Sequence, residues 1–381
     1  MVPPLPHELS DCIIDFLHDD GAALAACART CRAWLAAVRY HRFAGTRVHG
    51  RLSPFAELLT LSPSVASFVR ALHIHGFPYP HVRRYVPEEL VALLDRLPAL
   101  AHLGLTSMKL DGAVVSALVE NRTFRRISRL DIRWCEAEHV EDVVRLLTTP
   151  SLEHVEIDSL LCHEYESDAS IDLPALKTMS IAGMNRANDF SRRIVAGKHR
   201  IQAFRALITW RGEAELVADI LSSLAGSLEH LDIDIDAESN LPAVFDDTNF
   251  SLEILPYIRT CRLHFSLREM LVAGNMSLPL INSLITQALS STRLEKIALR
   301  IKADGMEDLR ALDSECGVRD VSVAHFDDMT VLDWERLQVA VGTRALKSFV
   351  IEGQGSATRF LENVCSRCPE LGALVHPRHV R

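Results

Sequence analysis

An apolar motif of the form apolar-x-x-apolar-x-apolar recurs along the chain from residue 69 onward. Successive copies start 24 to 36 residues apart, and clear examples are Val69-Leu72-Ile74 and Leu100-Leu103-Leu105. The alternation at the end of each copy predicts a half-buried β-strand. Several intervening segments carry apolar residues at helical spacing, and one of them starts with Pro87 in the first turn. Further copies start at Ile127, Leu152, Leu176, Ile201, Leu228, Ile258, Leu294, Val318, Leu346 and Leu371.

Strand and helix units repeated at this step resemble leucine-rich repeats in a degenerate form. The resemblance implies a leucine-rich-repeat-like α/β solenoid, a horseshoe whose strands line the concave side and whose helices line the convex side. We expect this solenoid to span 69–381. A three-helix module over 1–45 precedes it, and 46–68 forms a helical connector that starts at Ser53-Pro54.

Apolar residues near the start of the chain predict three short helices. Leu9, Ile13, Phe16 and Leu17 form one stripe of the first helix. Three helices in so few residues bury too little apolar area to be secure alone. We interpret the surplus apolar surface as a docking face for another protein, with Phe16 and Trp34 expected inside the module.

The same residues resemble the F-box family, and the large fungal (basidiomycete-type) F-box group in particular. The matching segments are Leu5-Pro6-His7-Glu8-Leu9, the helix from Ile13 to Leu17, and Cys31-Arg32-Ala33-Trp34. Many members have a second tryptophan about ten residues after the last segment, which this chain lacks. The resemblance implies the following adaptor-binding residues: Leu5, Pro6, Leu9, Ile13, Leu17, Leu24, Cys27, Cys31 and Trp34.

By this resemblance, the chain is expected to be the substrate-recognition subunit of an SCF-type ubiquitin ligase. It would bind a Skp-type adaptor, reach a cullin–RING ligase through that adaptor, and hold a client protein without catalysing transfer itself. Two alternatives remain open. The chain could be a scaffold that holds the adaptor outside any ligase, or the helices could form only a structural cap.

Polar residues at the middle of the strand motifs point away from the core, because strand side chains alternate. They are candidates for client binding, and the acidic ones in the middle repeats suggest a basic client segment. Ordinary solvated strand polarity is the alternative. The candidate client-binding residues are Asp131, Arg133, Glu156, Asp158, Asp232, Asp234, Arg262, His264 and Arg300.

A net charge of −9 argues against general affinity for nucleic acid or anionic membrane. No window approaches 18 uninterrupted apolar residues, so we expect no membrane span. Nine scattered cysteines indicate a reducing compartment, the cytoplasm or the nucleus.

Motifs for catalysis, metal binding or cofactor binding are weak, and we expect no catalytic residue, metal or cofactor. Cys365 and Cys368 are followed by His376 and His379 at gaps too short for a zinc finger. The carboxylates from Asp232 to Asp236 lack the glycine turn and distal glutamate of an EF-hand. Pairs such as His73 and His75 are interpreted as surface or partly buried polar residues rather than ligands.

Overall fold

The structure is a computed structural model, and the chain divides into two compact units, Met1–Ser167 and Asp168–Arg381. Each unit is described separately below. The predicted contact residues Leu5 and Pro6, and the repeats that start at Val318 and Leu371, lie outside the described part of the chain. The described residues are 7–76, 85–164, 172–184, 193–194, 197, 199–235, 250–266, 279–291, 293–302 and 348–354.

Three α-helices open the first unit. They are α1 (His7–Phe16), α2 (Gly21–Thr30) and α3 (Leu35–Ala44), with a 3-10 turn over Arg32–Trp34 before α3. The backbone amides of Ala22 and Ala23 donate to the carboxylate of Asp20, which caps α2. The fully buried residues that these helices share are Ile14, Leu24 and Val38.

A parallel sheet follows directly from the third helix. Its five strands lie side by side in the order in which they occur in the chain. Leu72, Leu103, Leu130 and Val155 are in register across neighbouring strands and are buried, which makes one ladder of the core. The strands are β1 (Gly45–His49), β2 (Ala71–His75), β3 (His102–Thr106), β5 (Arg129–Arg133) and β7 (His154–Asp158).

A second parallel sheet has three strands, and they follow β3, β5 and β7 in the chain. It is formed by β4 (Lys109–Leu110), β6 (Glu136–His139) and β8 (Leu161–Glu164). Ser107, Trp134 and Ser159 have positive φ angles and make the turns that lead into these strands. The remaining helical segments of the unit are α4 (Ser53–Leu61), α5 (Pro87–Leu94), α6 (Gly112–Glu120), α7 (Val140–Leu147), and the 3-10 turns Pro63–Ser67 and Phe124–Arg126.

The second unit also contains a parallel sheet with strands in chain order. Ile233, Leu263, Leu299 and Ile351 are in register across four neighbouring strands. Two described helices accompany the sheet, α8 (Arg211–Leu224) and α9 (Pro279–Ser290). The strands are β9 (Thr178–Ala182), β10 (Ala203–Ile208), β11 (His230–Ile235), β12 (Thr260–Ser266), β13 (Lys296–Lys302) and β14 (Ser348–Gln354).

The fold class predicted from the sequence is wrong. The chain folds as an α/β protein on mostly parallel sheets, and not as a leucine-rich-repeat-like solenoid preceded by a three-helix F-box module. Helix α3 ends at Ala44 and β1 begins at Gly45, so the helices run into the sheet without a linker. The apolar motifs do coincide with strands wherever they fall on described residues. A motif of this period indicates parallel strands joined by crossovers, and every parallel α/β sheet contains both. The motif does not specify how the sheet curves.

The predicted connector, 46–68, contains most of strand β1 as well as helix α4 and a 3-10 turn. Val48 of β1 is buried and is in register with Ile74 of β2, so this segment contributes to the sheet core. Across the described residues, none of the helices combines the length and the apolar character that crossing a membrane requires.

Candidate functional site

Helix α1 presents an apolar row to solvent. Phe16 is 87% exposed, Leu9 is 52% exposed and Ile13 is 46% exposed. These residues are spaced at i, i+4 and i+7, so they lie on one face of the helix. The expectation that Phe16 packs inside the module is wrong, because Ile14, on the opposite face, supplies the buried side chain of this helix.

Two contacts hold α1 against the neighbouring helices. Ile14 is fully buried, and Leu17, just after the helix, packs against the same small core. Asp15 Oδ1 lies 2.7 Å from Nε2 of His41 on α3. The apolar row is therefore presented on a helix whose other face is fixed.

The other predicted adaptor contacts have different positions. Leu24 is buried in the helical core, and Cys27 and Trp34 pack against that core. Cys31 is partly buried between α2 and the 3-10 turn. These side chains therefore support the helices, and Leu9 and Ile13 are the exposed apolar members of the predicted set among the described residues.

A second candidate feature is a cluster on the polar face of the first unit's large sheet. His73, His102 and Asp131 lie on β2, β3 and β5, and each offers one donor atom within 4.8 Å of the others. Nε2 of His102 is 2.9 Å from Oδ2 of Asp131. Asp131, predicted to contact a client, is buried in this cluster.

Gly104 explains how side chains from strands two steps apart converge. It lies in register with His73 on one side and with Asp131 on the other. A Cβ at position 104 would come within 2.3 Å of Nδ1 of His73. The His73 ring therefore occupies the space that a side chain on the middle strand would fill, and it leans toward Asp131.

Arginine and glutamate side chains surround the cluster. Nε of Arg129 donates to Oδ1 of Asp131 at 2.9 Å, and an Arg129 nitrogen is 3.0 Å from Oε2 of Glu156. Arg133 donates to Oε1 of Glu156 at 2.6 Å. The positive charges of Arg129 and Arg133 thus balance the negative charges of Asp131 and Glu156. Asp158 accepts a hydrogen bond from the Ser159 hydroxyl at 2.8 Å.

These surroundings shift the pKa values of the cluster. Burial, and next the nearby His102, lower the pKa of His73 to about 4, so its ring is neutral at pH 7. Burial alone would raise the pKa of the Asp131 carboxyl, but the contacts from His102 and Arg129 outweigh it and hold that pKa below its ordinary value. The cluster therefore combines a neutral imidazole with a carboxylate anion.

The predicted client residues of the second unit also form a paired group. Arg262 lies 3.3 Å from Oδ2 of Asp232. The ring of His264, only 2% exposed, has Nε2 3.3 Å from Oδ1 of Asp232 and Nδ1 3.7 Å from Oδ2 of Asp234. The backbone of Arg300 is in register with His264 on the neighbouring strand. The acidic pair thus has basic groups close to it.

Sequence reasoning did not find the His73, His102 and Asp131 cluster. The useful signal was the strand register, which places a glycine between His73 and Asp131 on neighbouring strands. His102 and that glycine lie on the same strand and, because strand side chains alternate, on the same face of the sheet. Two histidines and an aspartate around a residue without a side chain would have indicated convergence.

Comparisons of the chain with models of known protein families and with curated proteins found no match. Function is therefore inferred from the two features above, the exposed apolar row of α1 and the polar cluster on the sheet.

Proposed function

We propose that the chain is the substrate-recognition subunit of an SCF-type ubiquitin ligase, and that helix α1 docks a Skp-type adaptor. The chain would be a non-catalytic receptor working in the cytoplasm or the nucleus. Its contribution would be proximity, since holding a client near the charged conjugating enzyme raises the effective concentration of the client's lysines.

The single observation that carries this proposal is the apolar row of Leu9, Ile13 and Phe16. Large apolar side chains gathered on one exposed face mark protein-binding surfaces more often than chance exposure. Burial of side chains such as Phe16 contributes roughly 1.5–3 kcal/mol each. The row lies within the segments that resemble the F-box family, and this supports an adaptor as the occupant.

The client would contact the polar strand faces. In the first unit, Arg133 is exposed and Glu156 and Asp158 are partly exposed, so their side chains reach solvent. Asp131 is buried and would act by positioning its neighbours. The pairing of Arg133 with Glu156 favours a client that presents both charges over a purely basic segment.

Affinity purification from cells tests the proposal. Tagged wild-type chain is compared with a Leu9→Asp/Phe16→Ser variant, and the bound Skp-type adaptor and cullin are measured by immunoblotting. We expect both proteins with the wild type and neither with the folded variant. A matched control, Leu61→Ser, removes another exposed apolar residue outside the row and should retain both.

Adaptor recovered without cullin would contradict the ligase assignment and favour a scaffold. Recovery of neither protein with the wild type would contradict the docking assignment. Circular dichroism of each purified variant shows whether loss of binding accompanies loss of helix content.

A further inference from the structure

We propose that His73, His102 and Asp131 form a binding site for a zinc ion on the polar face of the first unit's large sheet. The site is independent of the proposed docking of an adaptor, since none of its residues lies on α1. Imidazole nitrogens and a carboxylate oxygen are ordinary zinc ligands.

The spacing of the donor atoms fits one shared ion. All three lie within 4.8 Å of one another, and two of them are 2.9 Å apart. Zinc bonds of about 2.0–2.2 Å place neighbouring ligands of a tetrahedral site roughly 3.3–3.6 Å apart. Small side-chain rotations within the existing cluster would therefore bring the three donors to these distances.

His102 and Asp131 are in direct contact, and Nε2 and Oδ2 would have to move apart by about 0.4–0.7 Å to become two ligands of one zinc ion. Nε2 of His102 is buried, and the Asp131 carboxylate 2.9 Å away is its ion-pair partner. A bound ion would replace this direct contact, with the nitrogen and the carboxylate oxygen both pointing to the ion.

Arg129 orients the carboxylate. It donates to Oδ1 of Asp131, while Oδ2 lies 2.9 Å from Nε2 of His102 and 3.9 Å from a nitrogen of Arg133. Hydrogen bonds of this kind to a metal-binding carboxylate fix its direction and are part of most metal sites. Glu156 lies within ion-pair distance of Arg129 and Arg133, which reduces the repulsion that their charges would exert on a cation.

Three protein ligands leave one position of a tetrahedral zinc site for water or another group. His73 and His102 are partly exposed, so the cluster can be reached from solvent. A client side chain or a small anion could therefore take the fourth position.

The test uses the full, untagged chain, stripped of metal with a chelator and titrated with Zn²⁺ by calorimetry at pH 7.5. We expect one zinc ion bound per chain. His73→Ala and His102→Ala should weaken binding by at least about tenfold, since even loss of a residue that supports a ligand costs about 10–100-fold. His49→Ala and His75→Ala are the matched controls, because these histidines stack on each other on the same sheet and offer no cluster ligand. Both should bind zinc as the wild type does.

Cobalt provides a second measurement that does not depend on the variants. Co²⁺ added to the metal-free wild type should give the intense visible bands of a four-coordinate site, and Zn²⁺ should abolish them. The proposal is overturned if wild type binds no zinc, if the His49 and His75 variants lose binding to the same extent, or if cobalt shows only the weak bands of its hydrated ion.

Discussion

The ring of His73 on β2 lies over Gly104 on β3, and Nδ1 of that ring would be 2.3 Å from a Cβ at position 104. The two residues are directly in register. The missing side chain on the middle strand is what allows His73 to approach Asp131 on the strand beyond. One glycine thus determines the arrangement of three polar side chains.

Substitution Gly104→Ala should destabilise the protein. The added methyl group would force the His73 ring away or displace the strand, and overpacking of this kind costs about 1–3 kcal/mol. Urea unfolding followed by circular dichroism measures the change. Gly45→Ala is the matched control, since a Cβ at position 45 of β1 meets no atom within 4 Å. Equal stabilities of the two variants would show that His73 does not occupy the space above Gly104.

Substitutions at two apolar residues of α1 should change the free energy of unfolding by very different amounts. Phe16→Ser should change the free energy of unfolding by less than about 0.5 kcal/mol, because exposed side chains contribute little. Ile14→Ala should cost about 2–5 kcal/mol, because Ile14 is fully buried. Denaturant unfolding of both variants measures the two effects. A large loss of stability in Phe16→Ser would mean that the apolar row packs within the protein.

Removing the cap of α2 should weaken that helix. The carboxylate of Asp20 accepts hydrogen bonds at 3.0 Å from Ala22 and 2.9 Å from Ala23, and loss of such a cap costs about 1 kcal/mol. Asp20→Ala should therefore lower the urea midpoint. Asp19→Ala removes the adjacent aspartate, whose side chain is almost fully exposed, and should leave that midpoint unchanged. The account of this helix fails if both variants behave alike.

Asp142 gives a pH-dependent prediction. Burial raises the pKa of this carboxyl above its ordinary value of 3.8, and nearby His139 and Arg145 offset part of the effect. Above pH 3.8 the unfolded chain loses the proton first, so stability falls as pH rises toward the raised pKa. Asp142→Asn should thus stabilise the protein at pH 7, and the gain should vanish near pH 3.

Thermal unfolding of Asp142→Asn at pH 3 and pH 7 measures this effect. Asp219→Asn, at an exposed aspartate of α8, is the control and should change little at either pH. A gain of equal size at both pH values would show that the buried charge is not its cause.

The sequence predicted the positions of many strands but not the fold. Motifs such as Val69-Leu72-Ile74 locate strands because their apolar residues are the ones that pack in register. Strand β1 was missed, since Val48 is its one buried residue between polar neighbours. The overall class was wrong because every architecture that joins parallel strands needs crossovers of about a dozen or more residues, so strand spacing alone does not distinguish one from another.

The candidate sites were predicted only in part. Helical periodicity grouped Leu9, Ile13, Phe16 and Leu17 on one face, but only the first three are exposed, whereas Leu17 follows the helix and packs against the small core. Periodicity alone does not tell whether a face packs inward or faces solvent. The orientation of the helix is set by Ile14, which packs on Leu24 of α2 and Val38 of α3. The histidine cluster depends on strand register. A motif search along the chain does not show which residues on neighbouring strands lie opposite each other.

Direct binding of the purified chain to a purified Skp-type adaptor tests the central claim most directly. Biolayer interferometry would compare the wild type with Phe16→Ser, whose fold should be unaffected. We predict saturable binding by the wild type and at least about a tenfold larger Kd for the variant, which corresponds to about 1.4 kcal/mol. Absence of wild-type binding, or the same Kd for both proteins, would contradict the proposal that the apolar row of α1 docks the adaptor.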